Sequence, residues 1–284
     1  MPQQRSYVID AVRIEDNTTV VLRRAATWSE EIPILQRIET LRSDPRNHAA
    51  PLLDIILLPW TDDEILIVIP LLRQYHDPPF SCPDQVLHAL EQFLEMMEFL
   101  HENLIAHRDF CSGNLLLDPT ELFPDGFHFV KPALSADAQT IGLNYRDRTA
   151  VSPISYFVID FELSTQLPHG VARVTGVYGA DRTVPELSWE EPYNPFKVDI
   201  YQFGRVILVD MVELYSDLEF LRPLAEQMTR RDPGQRPTAG EALQQVLELQ
   251  KTLSAAELQR EIWIAKSSRL LFTPRPRPPR RCCS

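Results

Sequence analysis

Two segments constrain what this chain can fold into more than any other feature. The first, Ala106-His107-Arg108-Asp109-Phe110-Cys111-Ser112-Gly113-Asn114-Leu115-Leu116-Leu117-Asp118, carries an Asp and an Asn five residues apart. The second, Phe157-Val158-Ile159-Asp160-Phe161-Glu162, comes after a long interval and reads as an apolar strand ending in Asp-Phe. A core large enough to hold such strands is available. The chain has 284 residues, 44% of them hydrophobic and 24% charged, the balance of an ordinary soluble globular protein.

The two segments resemble the catalytic loop and the metal-binding segment of the protein kinase superfamily. Further on, Val184-Pro185-Glu186-Leu187 is similar to the end of that family's activation segment. Lys197-Val198-Asp199-Ile200-Tyr201-Gln202-Phe203-Gly204 is similar to the entry of its buried large-lobe helix, and Arg231-Asp232-Pro233-Gly234-Gln235-Arg236-Pro237-Thr238-Ala239 to a later turn. The motifs stand in the family's order.

The resemblance implies an α+β, bilobal protein-kinase-like fold. A truncated N-terminal lobe of sheet plus one helix would span 1–72, and a mainly helical C-terminal lobe 73–254. A C-terminal helix over 255–273 and a basic Pro-rich tail over 274–284 would follow. It further implies ATP and Mg2+ as cofactors. Asp109 would orient the attacking hydroxyl, with Arg108 and His107 beside it, while Asn114 and Asp160 hold the metal. Arg23, Glu31, Ile69 and Leu71 would contribute to the ATP site. Asp199 would brace the catalytic loop, and Arg236 would pair with Glu186. These roles require Asp109, Asn114 and Asp160 to meet on one cleft floor.

Local patterns place the elements. Tyr7 to Arg13 and Thr18 to Arg24 read as strands joined by Glu15-Asp16-Asn17. A helix begins near Thr27, with Glu30 at capping-box spacing, and ends by Asp44-Pro45. Leu52 to Leu58 and Glu64 to Ile69 read as paired strands, with Pro70-Leu71-Leu72 connecting the lobes. Val86, Leu90, Phe93, Met97 and Leu100 recur at helical spacing and predict a core helix over Asp84 to Glu102. Phe203 to Met211 predicts a helix buried on all faces, and Leu218 to Leu253 two or three amphipathic helices broken at Asp232-Pro233.

Against the family pattern, four departures stand out. No glycine precedes Val20, so the usual glycine-rich cover over the phosphates is missing, and the whole chain has nine. Val20-Val21-Leu22-Arg23 puts Arg where a strand Lys is usual, and the two heads differ in shape. Its expected partner Glu31 is followed closely by Pro33, which leaves two readings open, an ion pair or solvated charges. Cys111 replaces a lysine that touches the transferring phosphate, and Glu162 replaces the glycine after Asp-Phe. Thr165, Thr175 and Thr183 are phosphorylation candidates, with Arg108 able to receive a phosphate and surface hydroxyls with no role as the competing reading.

The interval 118–155 is longer than an ordinary kinase needs and resembles a divergent group of fungal kinase-like proteins. It reads as a disordered surface loop or, alternatively, a docking element. The formal net charge of -12 argues against nucleic-acid binding. A polar N-terminus, isolated Cys82 and Cys111, and no long apolar run predict a cytoplasmic protein. The tail Pro274-Arg275-Pro276-Arg277-Pro278-Pro279-Arg280-Arg281 reads as solvated chain or an SH3-type ligand, with membrane contact only if Cys282 or Cys283 is lipidated.

Three functions follow. An enzyme would transfer the terminal phosphoryl group of ATP weakly to protein Ser or Thr. A catalytically impaired pseudokinase would bind a protein partner. A small-molecule kinase of the aminoglycoside or choline type is the third, suggested by Gly113-Asn114-Leu115 and the acid after Asp160-Phe161.

Overall fold

In the computed structural model, which describes residues 8–265, the apolar alternation of the N-terminal part becomes one antiparallel sheet. β1 (Val8–Val12) and β2 (Thr19–Ala26) pair across a turn where Asn17 takes a left-handed φ of 57°, a conformation Asn tolerates. β3 (Asp54–Leu57) and β4 (Glu64–Pro70) complete the order β1-β2-β4-β3. Beneath it α1 (Glu31–Thr40) buries Ile34, Leu35 and Ile38 in the same core as Ile65 and Ile67.

The expected capping box at the start of α1 does not form. The Thr27 hydroxyl donates instead to the Asp62 carbonyl at 2.8 Å, and Glu30 accepts from Thr165 at 3.0 Å. Pro33 falls in the first helical turn, where no N–H is needed.

The remaining strands are short: β5 (Arg73–Gln74), β6 (Ile105–Ala106), β7 (Leu115–Leu117), β8 (Tyr156–Val158), β9 (Thr165–Gln166), β10 (Val174–Gly176) and β11 (Ser188–Tyr193). They form three small antiparallel sheets, β5-β7-β8, β6-β9 and β10-β11. Between and after them lie α2 (Pro83–Glu102), α3 (Arg148–Val151), α4 (Pro195–Val206), α5 (Arg222–Met228), α6 (Ala239–Thr252) and α7 (Ala255–Leu258), giving an α+β architecture. Pro83 opens α2, and Val86, Leu90, Phe93, Met97 and Leu100 are fully buried, as their spacing predicts. α2 packs on α6, whose Thr238 and Glu241 form a capping box.

Three expectations are corrected. Phe203 to Met211 is not one buried α-helix: α4 stops at Val206 and Ile207–Val212 winds as a π-helix, with Val209 38% exposed. This wider turn carries Asp210, whose Oδ2 lies 3.2 Å from the Tyr75 hydroxyl.

The interval 118–155 is packed at its two ends, while 130–133 and 136–142 are exposed. Leu122, Phe123 and Phe127 are buried, and the Arg73 guanidinium lies 4.1 and 4.5 Å from the ring centres of Phe123 and Phe127. Arg148, 2% exposed, donates to the Tyr75 and Pro78 carbonyls and the Tyr156 hydroxyl.

The helix expected over 255–273 is limited to α7 among the described residues. Beyond it the chain is extended, with the Ser216 N–H donating to Trp263 O at 2.9 Å and the Ala265 N–H to Leu214 O at 2.8 Å. The tail with Cys282 and Cys283 lies outside the described residues. Among those residues, no helix is long and apolar enough to cross a membrane.

Candidate functional site

The loop after β6 takes its shape from α4. Asp199, fully buried, accepts from the backbone N–H of His107 at 2.9 Å and of Arg108 at 2.6 Å, and His101 Nε2 lies 2.9 Å from it. These contacts supply what a buried carboxylate needs in place of water. Three residues along the same helix, Gln202 donates to the Arg108 carbonyl at 3.1 Å and accepts from the Phe110 N–H at 2.9 Å. So held, Arg108 adopts a φ of 66°, sparsely populated for a residue with a side chain.

His107 is fully buried, its Nε2 3.1 Å from the Ile159 carbonyl and its ring against Phe110 and Phe161. Grouped by expectation with the catalytic side chains, it lies on the inner side of the loop and reaches no solvent. Arg108 extends the other way, lying 4.8 Å from the centre of the Tyr178 ring and donating to the Thr175 carbonyl at 3.3 Å. Two of the three candidate threonines are engaged: the Thr183 hydroxyl donates to Asp181 at 2.6 Å and that of Thr165 to Glu30 at 3.0 Å.

Asp109 and Asn114 meet. Asn114 Nδ2 donates to the Asp109 carbonyl at 2.9 Å and to Asp109 Oδ2 at 3.2 Å, while the Ala180 N–H donates to Oδ1 at 2.7 Å. The segment that carries Asp160 is tied to this loop by its backbone, the Ile159 N–H donating to the Asn114 carbonyl at 3.0 Å. Asp160 has a φ of 66°, and its Oδ1 is buried without a hydrogen bond. Arg23 Nη1 lies 3.9 Å from that oxygen. The Arg23 guanidinium itself is paired with Glu31, which is 1% exposed, so of the two readings the ion pair is the one formed.

Ile69 shares the Arg23 face of the sheet, since Val21 faces Ile69 and Arg23 faces Ile67 across the β2–β4 ladder. Leu71 follows in the connector, half-buried like Ile69. Glu186 and Arg236 form a two-pronged ion pair at 2.5 and 2.8 Å, with the Arg236 side chain wholly buried.

The β1–β2 turn carries Glu15 and Asp16 and no glycine, and the Arg13 guanidinium with Thr18 holds the Asp16 carboxyl well below the usual range. Glu162 is exposed. Burial, and then the neighbouring Asp109 charge, push the Cys111 thiol up to about 11, so it stands neutral beside Asp109.

Sequence reasoning missed Gln202 and the two buried arginines, Arg73 and Arg148. Gln202 was findable, because residues three apart on a helix share a face and Asp199 was already placed. No local pattern announced the arginines. No protein-family profile matches this chain, and no curated protein does either.

Proposed function

We propose that this chain is a bilobal protein-kinase-like protein that binds ATP with Mg2+ and transfers the terminal phosphoryl group weakly to a protein Ser or Thr hydroxyl. The observation that carries the reading is the Asp109–Asn114 hydrogen bond in a loop to which the residue before Asp160 is bonded through its backbone, with the Arg23 of the Arg23–Glu31 pair 3.9 Å from Asp160. A buried carboxylate oxygen on Asp160 without a hydrogen bond suits a hard cation that seeks oxygen ligands, and the Asn114 amide oxygen would be a further ligand. Among the described residues no cluster of three His, Cys, Asp or Glu side chains could hold a metal alone, so nucleotide oxygens would complete the set. Bound there, Mg2+ would offset negative charge on the phosphates.

Asp109 would accept a hydrogen bond from the attacking hydroxyl and fix its direction. Arg23 and Glu31, locked together, would hold a positive charge over the Asp160 side of the site. Weak turnover is expected because Cys111 supplies no charge to the moving phosphoryl group. Losing one such donor costs about 10²- to 10³-fold.

A second reading, a binding module without turnover, is favoured by the acidic, glycine-free β1–β2 turn and the neutral Cys111. Titrating purified protein with ATP, with and without Mg2+, tests the shared part of the two readings. Comparing ATP turnover with that of Asp109→Asn separates them. Equal rates in both proteins would exclude Asp109 from catalysis.

A further inference from the structure

We infer that Gln202 is a positioning residue for Asp109, with a task distinct from that of Asp199. The inference rests on the proposed role of Asp109. The direction of the Asp109 side chain is set by the two peptide units that flank it. Asp199 binds the N–H groups of His107 and Arg108 and so reaches only the approach to Asp109. The Gln202 amide takes both flanking units at once: Nε2 donates to the Arg108 carbonyl at 3.1 Å, and Oε1 accepts from the Phe110 N–H at 2.9 Å. One planar group therefore fixes the rotation of the backbone at Asp109.

Glutamine suits this task because its amide carries a donor and an acceptor side by side. Glutamate would lose the donor when ionised, and methionine both groups. Gln202 is 1% exposed, so water does not substitute for either bond. The left-handed backbone of Arg108 persists only where its neighbours over-determine it, and this amide is one of those neighbours.

The same amide also sets how closely a second segment approaches Asp109. Gly179, at a φ of 85°, lies against it: an added Cβ would stand 2.9 Å from Gln202 Nε2 and 2.7 Å from the Arg108 carbonyl. The next residue, Ala180, donates its N–H to Asp109 Oδ1 at 2.7 Å. Gln202 thus holds Asp109 from the helix side and the segment that bonds its carboxylate from the other. A displacement of about 1 Å at such a group can cost about 100-fold in rate.

The test uses the full chain with Mg2+ and ATP and compares wild type, Asp109→Asn, Gln202→Met and Gln202→Glu. ATP affinity, KM and kcat are measured, the last from pH 5.5 to 8. Gln202→Met, similar in length but apolar, is expected to lower the Asp109-dependent kcat about 10- to 100-fold while ATP affinity stays within about 2-fold. Gln202→Glu is expected to be impaired at pH 8 and to regain rate, relative to wild type, towards pH 5.5, where a protonated carboxyl can again donate to the Arg108 carbonyl.

The inference is overturned if Gln202→Met turns over like wild type, or if its ATP affinity falls in step with its rate. Asp109-dependent turnover in wild type would in that case leave the proposed function standing. Wild type without Asp109-dependent turnover overturns both, and the nucleotide titration then shows whether the binding part of the proposal survives.

Discussion

Arg23 on β2 is paired with Glu31 in the first turn of α1, and the two side chains are 13% and 2% exposed. The pair joins sheet to helix and brings a guanidinium to within 3.9 Å of Asp160. Removing one member leaves the other charge buried without its counterion.

Glu31→Ala is therefore expected to lower unfolding stability by about 3 kcal/mol. Replacing both members, Arg23→Met with Glu31→Leu, should cost less than that single change. Urea denaturation of the variants checks this. A loss under about 1 kcal/mol for Glu31→Ala would mean that water already screens the pair.

Arg148→Met should destabilise by about 3 kcal/mol, since the Tyr75 and Pro78 carbonyls and the Tyr156 hydroxyl lose a charged donor inside the core. Limited proteolysis of the variant should then cut at Leu122, Phe123 or Phe127, which the wild type keeps buried. Early cleavage of the wild type there would contradict the packing described above.

Cys111 gives a pH dependence. Its thiol, pushed up to about 11 from an ordinary 9.0, holds its proton more firmly in the folded chain. The stability this confers is complete below about pH 9 and is lost as pH rises towards 11. At pH 8 the thiolate fraction is lower than that of an ordinary cysteine by about 100-fold. Alkylation followed by peptide mass spectrometry should find Cys111 slow, and faster in Asp109→Asn. An ordinary alkylation rate in the wild type would remove this assignment.

Gly204→Ala should cost about 1 to 3 kcal/mol despite the better helix propensity of alanine, because the new Cβ would stand 2.6 Å from that of Met228. Thermal unfolding reads this directly. A stabilised variant would show that α4 and α5 can move apart at no cost.

The sequence announced what local rules govern. The apolar stripe of α2 and the β1–β2 and β3–β4 hairpins follow from spacing alone, whereas the expectation that Asp109 and Asn114 meet came from the family resemblance of the loop. The Arg23–Glu31 pair stayed ambiguous, since its formation depends on how β2 and α1 pack and not on either segment. Phe203 to Met211 reads as continuous helix because a π-helix has no composition of its own. What it gains is tertiary, with Asp210 brought to Tyr75 from 135 positions away in sequence. Arg73 and Arg148 were illegible for the same reason: polar and aromatic residues that suggest solvent in isolation pair with carbonyls and rings supplied from elsewhere. The missing capping box at Thr27 has the same origin, because the β3–β4 turn claims that hydroxyl first.

β8 has one further consequence. Its Val158 has neighbours on both sides, facing Leu115 in the β7–β8 ladder and bonded to the stretch after α1 through the His48 carbonyl and the Ala50 N–H. Asp160, two residues on, is thereby moored to both parts of the chain.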